Sequence, residues 1–235
     1  QSQTIMHAIK QNISSLKRRI ANSANQCGRD PSSVRIIAVS KKHNLDSIKA
    51  AYDQGIRDFG ENYLQEAIQK IELYKPKNII WHFIGPIQSN KTKLIANNFS
   101  WVHSVDRIKI AERLSSQKNP DLPDLNVCLQ VNIDGETSKV GFSKNEIMTV
   151  IPYLQELSGI KLRGLMAIPK FRRTMDEQRK PFYELQQLFK RISNQMQNNT
   201  SFDTLSMGMS SDLEAAIYEN ANLVRVGTDI FGKRP

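Results

Sequence analysis

Cysteine is scarce: only Cys27 and Cys128 occur in 235 residues, far apart and outside any paired spacing. That excludes a disulfide framework and offers no zinc pattern, so reduced structural thiols are the expected role. Long apolar runs are missing too. Nothing approaches the roughly 20 residues needed to cross a bilayer, and the first twenty residues alternate polar and apolar side chains without a signal-peptide core, so a soluble, cytoplasmic protein is expected. No internal repeat, low-complexity tract or Pro/Gly-rich linker divides the chain, so residues 1–235 read as one domain. Acidic side chains are in deficit, 23 against 33 Lys and Arg, leaving a net charge of +10. Such a charge draws phosphorylated small molecules, nucleic acid or acidic partners without choosing among them.

What is present is a regular alternation. A leading helix places Ile5, Ile9, Ile13, Leu16 and Ile20 at helical spacing, with Lys10, Lys17 and Arg18 on its other faces. Eight short runs rich in β-branched and aromatic residues then read as strands, at 35–40, 58–61, 81–84, 101–104, 126–131, 162–166, 204–207 and 223–226. Helical patterns separate most of them, such as Phe182, Leu185, Leu188, Phe189 and Ile192 after the sixth run. Strand-helix alternation requires parallel pairing, and eight units in a chain near the roughly 250 residues typical of the fold match a closed (β/α)₈, TIM-like barrel with an additional N-terminal helix. The second and seventh runs are short, which leaves an open sheet of six or seven strands as the alternative.

In a parallel barrel, functional groups gather at the carboxyl ends of the strands. Lys41 and Lys42 follow the first run; alternation sends one toward the mouth and the other toward helices or solvent. A lysine partly desolvated in a barrel mouth has a lowered pKa and exposes the neutral amine that attacks an aldehyde, although residue identity alone favours a pair of solvated strand-end lysines. The loops after strands seven and eight are where this fold builds phosphate sites. Here the first contains Ser210 and a capping-box pattern, Ser211-Asp212-Leu213-Glu214, and the second contains Gly227-Thr228 before a short segment, Asp229-Ile230-Phe231-Gly232, that reads as a helix. An aldehyde-bearing phosphate satisfies lysine and phosphate loops together. Pyridoxal 5′-phosphate is one such ligand, and a sugar phosphate on an aldolase is another.

Several segments also resemble a known family: Ala38-Val39-Ser40-Lys41, Phe59-Gly60-Glu61-Asn62-Tyr63, Trp81-His82-Phe83-Ile84-Gly85, Gln88-Ser89-Asn90-Lys91, Gly164-Leu165-Met166, Leu205-Ser206-Met207-Gly208-Met209-Ser210 and Val224-Arg225-Val226-Gly227-Thr228. Taken in order, they make the chain similar to the pyridoxal phosphate homeostasis proteins, which in turn resemble the barrel domain of alanine racemase. The resemblance implies a Schiff base between pyridoxal 5′-phosphate and Lys41, phosphate contacts from Ser210, Gly227 and Thr228, Arg225 facing the pyridine nitrogen and Asn62 near the ring. It implies a role in cofactor homeostasis without an established reaction. Many members have proline where this chain has Asn44, so a less rigid loop is expected after the first strand.

Arginine at the ring nitrogen has a consequence of its own. A guanidinium does not give up its proton, so the pyridine stays neutral and is a poor electron sink. The expectation is therefore a monomeric carrier or regulator of the cofactor, with apo-enzymes as possible recipients. An amino-acid racemase is the alternative, and it needs a second acid/base on the opposite face of the substrate. His82 and His103 show no metal-ligand spacing and read as structural. Met209, beside Gly208, can pack on the ring, as can Met207, or both fill the barrel. The basic stretch from Lys161 to Arg191, with nine basic and three acidic residues, reads as a solvated surface, with nucleic-acid contact the lesser reading.

Overall fold

A computed structural model describes residues 2–137, 140–196 and 201–235. Eight parallel strands run in sequence order around a closed barrel: β1 (Arg35–Val39), β2 (Asp58–Glu61), β3 (Ile80–Phe83), β4 (Trp101–Val105), β5 (Leu125–Gln130), β6 (Ile160–Met166), β7 (Thr204–Ser206) and β8 (Leu223–Val226). Closure is made by β1 against β8, with Ile37 opposite Arg225 and Ala38 opposite Val226. That rules out the open sheet. The short second and seventh runs are genuine strands, β2 buried along its whole length. Expected and observed strand ends differ by at most two residues, which is the usual fraying at element boundaries.

Between the strands lie α2 (Leu45–Asp53), α3 (Leu64–Leu73), α4 (Thr92–Asn98), α5 (Ile108–Gln117), α6 (Lys144–Gln155), α7 (Met175–Gln195) and α8 (Leu213–Tyr218), while α9 (Thr228–Phe231) follows β8. The leading helix, α1 (Ser2–Gln26), packs on α2, α8 and α9. Its stripe of Ile9, Ile13, Leu16 and Ile20 is buried, each side chain contributing roughly 1.5–3 kcal/mol as an upper figure. Ile5, at the outer end of the same stripe, stays exposed.

The apolar core has two parts because a barrel has two faces. The outer face of the sheet packs on the helices through residues such as Ala38, Phe59, Val102, Val127 and Leu165. The lumen is filled by Ile37 and Leu223 from the adjacent strands β1 and β8 and by Trp101, Cys128 and Met166 from β4, β5 and β6 on the other side, so it is a packed interior and not a pore. Embedded in it are the fully buried rings of His82 and His103, His82 stacking on Trp101 with centroids 5.5 Å apart.

Candidate functional site

All seven residues singled out from the sequence, Lys41, Asn62, Met209, Ser210, Arg225, Gly227 and Thr228, line one cavity of about 270 Å³ at the carboxyl end of the barrel. Two larger cavities, of about 490 and 430 Å³, have other linings, the second sharing Asn62 with the candidate cavity. The first is at the amino end, among Lys17, Arg35, Arg57 and Asp58, and contains no carboxyl strand end and neither of the loops after β7 and β8. Convergence of chemistry, not volume, marks the smaller cavity as the candidate site.

Lys41 stands in the turn after β1, half-buried, beside Val39 in the cavity wall. Burial lowers its pKa from the ordinary 10.5, the positive charges of Arg234 and Lys42 lower it further, and the carboxylate of Glu61 opposes them. Lys42 turns away to the surface in a left-handed conformation (φ 64°), its amide donating to Glu66 Oε1 and its ammonium 5.6 Å from the Tyr63 ring centroid. The following loop is braced at both ends: His43 stacks on Phe231 of α9, and Asn44 caps α2 by accepting from the Ser47 amide. Asparagine thus supplies the order that proline was expected to provide.

Beneath Lys41 lies a buried ion pair. Glu61, wholly buried at the end of β2, accepts from Lys70 Nζ at 2.8 Å and from Ser40 Oγ at 2.7 Å, while Lys70 also donates to the Ser40 carbonyl at 2.8 Å. The pair fastens α3 to the strand ends that flank Lys41. Burial raises the Glu61 pKa, and Lys70 and Ser40 act against that rise. Asn62 follows directly, and its Oδ1 is buried without a hydrogen-bond partner, leaving unused polar capacity at the cavity. Its position depends on Gly85: a Cβ there would lie 2.3 Å from the Asn62 carbonyl oxygen.

The two expected phosphate loops meet on the opposite wall. Gly208, at φ 102°, turns the chain out of β7 toward Met209 and Ser210, and a Cβ there would sit 2.7 Å from Ala216. The capping box does not form. Asp212, not Ser211, precedes α8 and makes no side-chain cap; its Oδ1 instead accepts from the Met209 amide at 2.8 Å. Glu214 is unable to reach back because both its oxygens are held by Arg19, at 2.8 and 3.0 Å. The same guanidinium donates to Asp229 Oδ2 and to the Ser210 carbonyl, each at 2.8 Å, so Arg19 on α1 clamps the loops after β7 and β8 at once. Gly227 and Thr228 open α9, in which the Ile230 and Phe231 amides donate to the Gly227 carbonyl, each at 2.9 Å, while the Thr228 and Asp229 amides have no acceptor within the helix.

Arg225 closes the cavity floor from β8. It is buried, donating from Nη2 to the Ala167 carbonyl at 3.0 Å and from Nη1 to Ser206 Oγ at 3.1 Å. Burial brings its pKa down from 12.5 to about 10, with Asp212 acting in the other direction. The guanidinium is therefore less basic than residue identity implied, and still cationic at neutral pH.

Residues 6–235 match the family description "Alanine racemase, N-terminal domain". The chain is 48% identical over 229 residues to the pyridoxal phosphate homeostasis protein of Pseudomonas aeruginosa, covering 97% of each, and 41% identical over 232 residues to that of Escherichia coli, covering 97% of this chain and 98% of that one. The chain belongs to the pyridoxal phosphate homeostasis protein family. Among solved structures, PipY of Synechococcus elongatus with pyridoxal phosphate bound has a TM-score of 0.82 at 34% identity, covering 95% of this chain and 100% of that one. An alanine racemase from E. faecalis has a TM-score of 0.67 at 18% identity, covering 98% of this chain and 59% of that chain; the likeness is one of fold.

Within that family frame, sequence reasoning missed Arg234, Ile84 and Ile168 in the cavity wall, gave Ser211 a capping role only, and missed Arg19, Glu61 and Lys70 behind it. Arg234 was hidden in a short basic tail; Arg19 carried one signal, its place beside Ile20 near the buried stripe of α1. The two methionines separate: Met207 is fully buried, whereas Met209 lines the cavity, 45% exposed. In the basic stretch, Arg163, Arg172 and Arg179 are paired with Asp203, Asp134 and Glu219. Those pairs account for three of the nine basic residues of the stretch. No helix among the described residues is long and apolar enough to cross a membrane, and no group of three metal-ligating side chains occurs among them.

Proposed function

We propose that this chain holds pyridoxal 5′-phosphate as a Schiff base on Lys41 and serves intracellular cofactor homeostasis, as a carrier or regulator in the cytoplasm and not as a free-standing enzyme. The observation that carries the reading is the convergence on one cavity of a half-buried amine of lowered pKa, two phosphate loops and a buried arginine. The residues present fit the group. Lys41 supplies the amine for the aldehyde, and Ser210, Gly227 and Thr228 supply a hydroxyl pair and close backbone approach for the phosphate. Asn62, with its unpartnered amide oxygen, and the flexible thioether of Met209 stand by the ring, with Arg225 at the pyridine nitrogen. The relatives named for pyridoxal phosphate homeostasis and the pyridoxal phosphate-bound PipY support the same ligand.

When bound, pyridoxal phosphate offers an aldehyde to amines and, if its ring nitrogen is protonated, a sink for carbanion electrons. This chain's residues favour the first use. Arg225 keeps its own proton at neutral pH and so leaves the ring neutral. The cavity lining contains no histidine, tyrosine, cysteine or carboxylate to exchange a proton on the far face of a substrate. Transfer to apo-enzymes fits an open mouth whose amine is held in neutral-prone surroundings.

Borohydride reduction of cofactor-loaded protein followed by peptide mapping tests the attachment: label on Lys41 is expected, and Lys41→Ala protein is expected to lose the visible band. A full band in that variant sinks the assignment. The fold likeness to alanine racemase favours a racemase as second reading. Incubation with L- and D-alanine in deuterated water decides it, no α-proton exchange being expected.

A further inference from the structure

Five side chains from five strands form one hydrogen-bonded file across the lumen. Arg225 Nη1 donates to Ser206 Oγ at 3.1 Å; His103 Nδ1 lies 2.7 Å from that oxygen; His103 Nε2 lies 2.9 Å from His82 Nδ1; and His82 Nε2 lies 2.8 Å from Asp58 Oδ1. β4 and β7 are not neighbours, so the His103–Ser206 bond spans the barrel. Every member is buried, Asp58 being the least so, and Asp58 is gripped on its outer side by Arg35 at the amino end of the barrel. The file thus begins at the amino-end cavity and ends on the arginine of the candidate cofactor site.

Counting protons fixes its direction. A guanidinium has no acceptor and an ionised carboxylate has no donor, so Arg225 must donate at one end and Asp58 must accept at the other. His82 therefore holds its proton on Nε2. A neutral imidazole has one such proton, which leaves His82 Nδ1 to accept from His103 Nε2–H and leaves His103 Nδ1 to accept the Ser206 hydroxyl proton. Ser206, having spent its proton there, presents lone pairs to Arg225. Every bond in the file is then satisfied with two neutral histidines. The opposite direction needs a protonated Asp58 or a cationic His82, and it turns the Ser206 oxygen into the target of two donors. Burial lowers both imidazoles, His103 well below its ordinary value, while His82 and Arg35 keep Asp58 ionised against its own burial. A buried network with all partners satisfied fixes one arrangement, which is its physical use.

We propose that Asp58 sets the polarity of this file, and that Ser206, His103, His82 and Asp58 are positioning residues that hold Arg225 in place for the ring of the bound cofactor. The role at the ring rests on the function proposed above; the polarity of the file does not.

Two measurements separate these layers. Cofactor-free protein labelled with ¹⁵N-histidine is expected to show His82 and His103 at pH 7.5 as neutral rings protonated on Nε2. An Nδ1–H form or an imidazolium at either ring overturns the polarity. In Asp58→Leu the His82 Nε2–H has no acceptor, so the two rings are expected to lose the uniform Nε2–H form; unchanged rings overturn the assignment to Asp58. For the second layer, Ser206→Ala removes the acceptor of Arg225 Nη1. Pyridoxal phosphate is expected to bind about tenfold more weakly with a displaced absorption maximum, while borohydride still traps it on Lys41. Wild-type affinity and band in both Ser206→Ala and Asp58→Leu overturn the positioning role, because a merely structural file would change folding stability alone. Failure of borohydride to label Lys41 in the unmutated protein would instead count against the cofactor reading, with the histidine measurement still standing. If a variant does not fold, the unmutated protein's ring forms remain decisive for the polarity.

Discussion

Replacing Lys70 by methionine keeps most of the side-chain volume and removes the cation from Glu61, so it isolates what the buried pair contributes. Glu61 has no solvent exposure and Lys70 very little. Deleting one partner of such a pair typically costs about 3–5 kcal/mol. The cost has a ceiling, because Glu61 can take a proton. Neutralising a carboxyl of ordinary pKa near 4.3 at pH 7 costs about 3.5 kcal/mol, and at pH 5 only about 1 kcal/mol. In the variant, folded Glu61 has a raised pKa, so between pH 4.3 and 7 the folded state binds more protons than the unfolded one. Its stability is therefore fully present at low pH and lost as pH rises. Relative to the unmutated protein, Lys70→Met is expected to lose about 3.5 kcal/mol at pH 7 and about 1 kcal/mol at pH 5, read by urea unfolding with the buried Trp81 and Trp101 as fluorescent reporters. Neutral Glu61 would also stop raising the Lys41 pKa, so the amine should condense with pyridoxal phosphate faster at pH 7. A deficit below about 1 kcal/mol at pH 7, or one that grows toward pH 5, refutes the reasoning.

The buried histidines give the unmutated protein an acid limit. His82 and His103 have depressed folded pKa values, so stability is full above the ordinary value near 6.5 and falls as pH drops through it, by about 1.4 kcal/mol per pH unit for each proton taken up only on unfolding. Urea midpoints unchanged between pH 7 and 5.5 would show that the rings are already charged. Arg19→Ala removes three partners from two loops at partly exposed positions. The expected stability loss is only about 1–2 kcal/mol, but cofactor affinity should drop severalfold; equal affinity by absorbance titration would mean that the loops support themselves. The Cys128 thiol, fully buried and pushed up to about 12, should stay unreactive toward a thiol reagent until unfolding, while Cys27 reacts in the native protein. Prompt reaction of both thiols would place Cys128 outside the packed lumen.

The barrel was legible because its signal is local and repeated: each strand is a short β-branched run and each helix a periodic stripe, and eight parallel units close by geometry. That Lys41 and the loop residues would meet was legible for a related reason, since strand ends converge in this fold wherever they fall in sequence, whereas Arg225 was singled out by the family resemblance. The supports behind them were not. Arg19 meets Glu214 and Asp229 across 195 and 210 residues, and the file from Asp58 to Arg225 joins strands whose polar residues each look like ordinary strand interruptions. The failed capping box shows why such contacts defeat local reading. Ser211 and Glu214 have the right spacing, yet the carboxylate gains more from a two-pronged guanidinium than from one backbone amide, so the local pattern yields. A local motif dictates the local backbone only when its side chains have no stronger partner in the folded chain. Here the stronger partners are those that tie the loops after β7 and β8 to the helix that precedes the barrel, so α1 braces one wall of the candidate cavity and is not an appendage to the barrel.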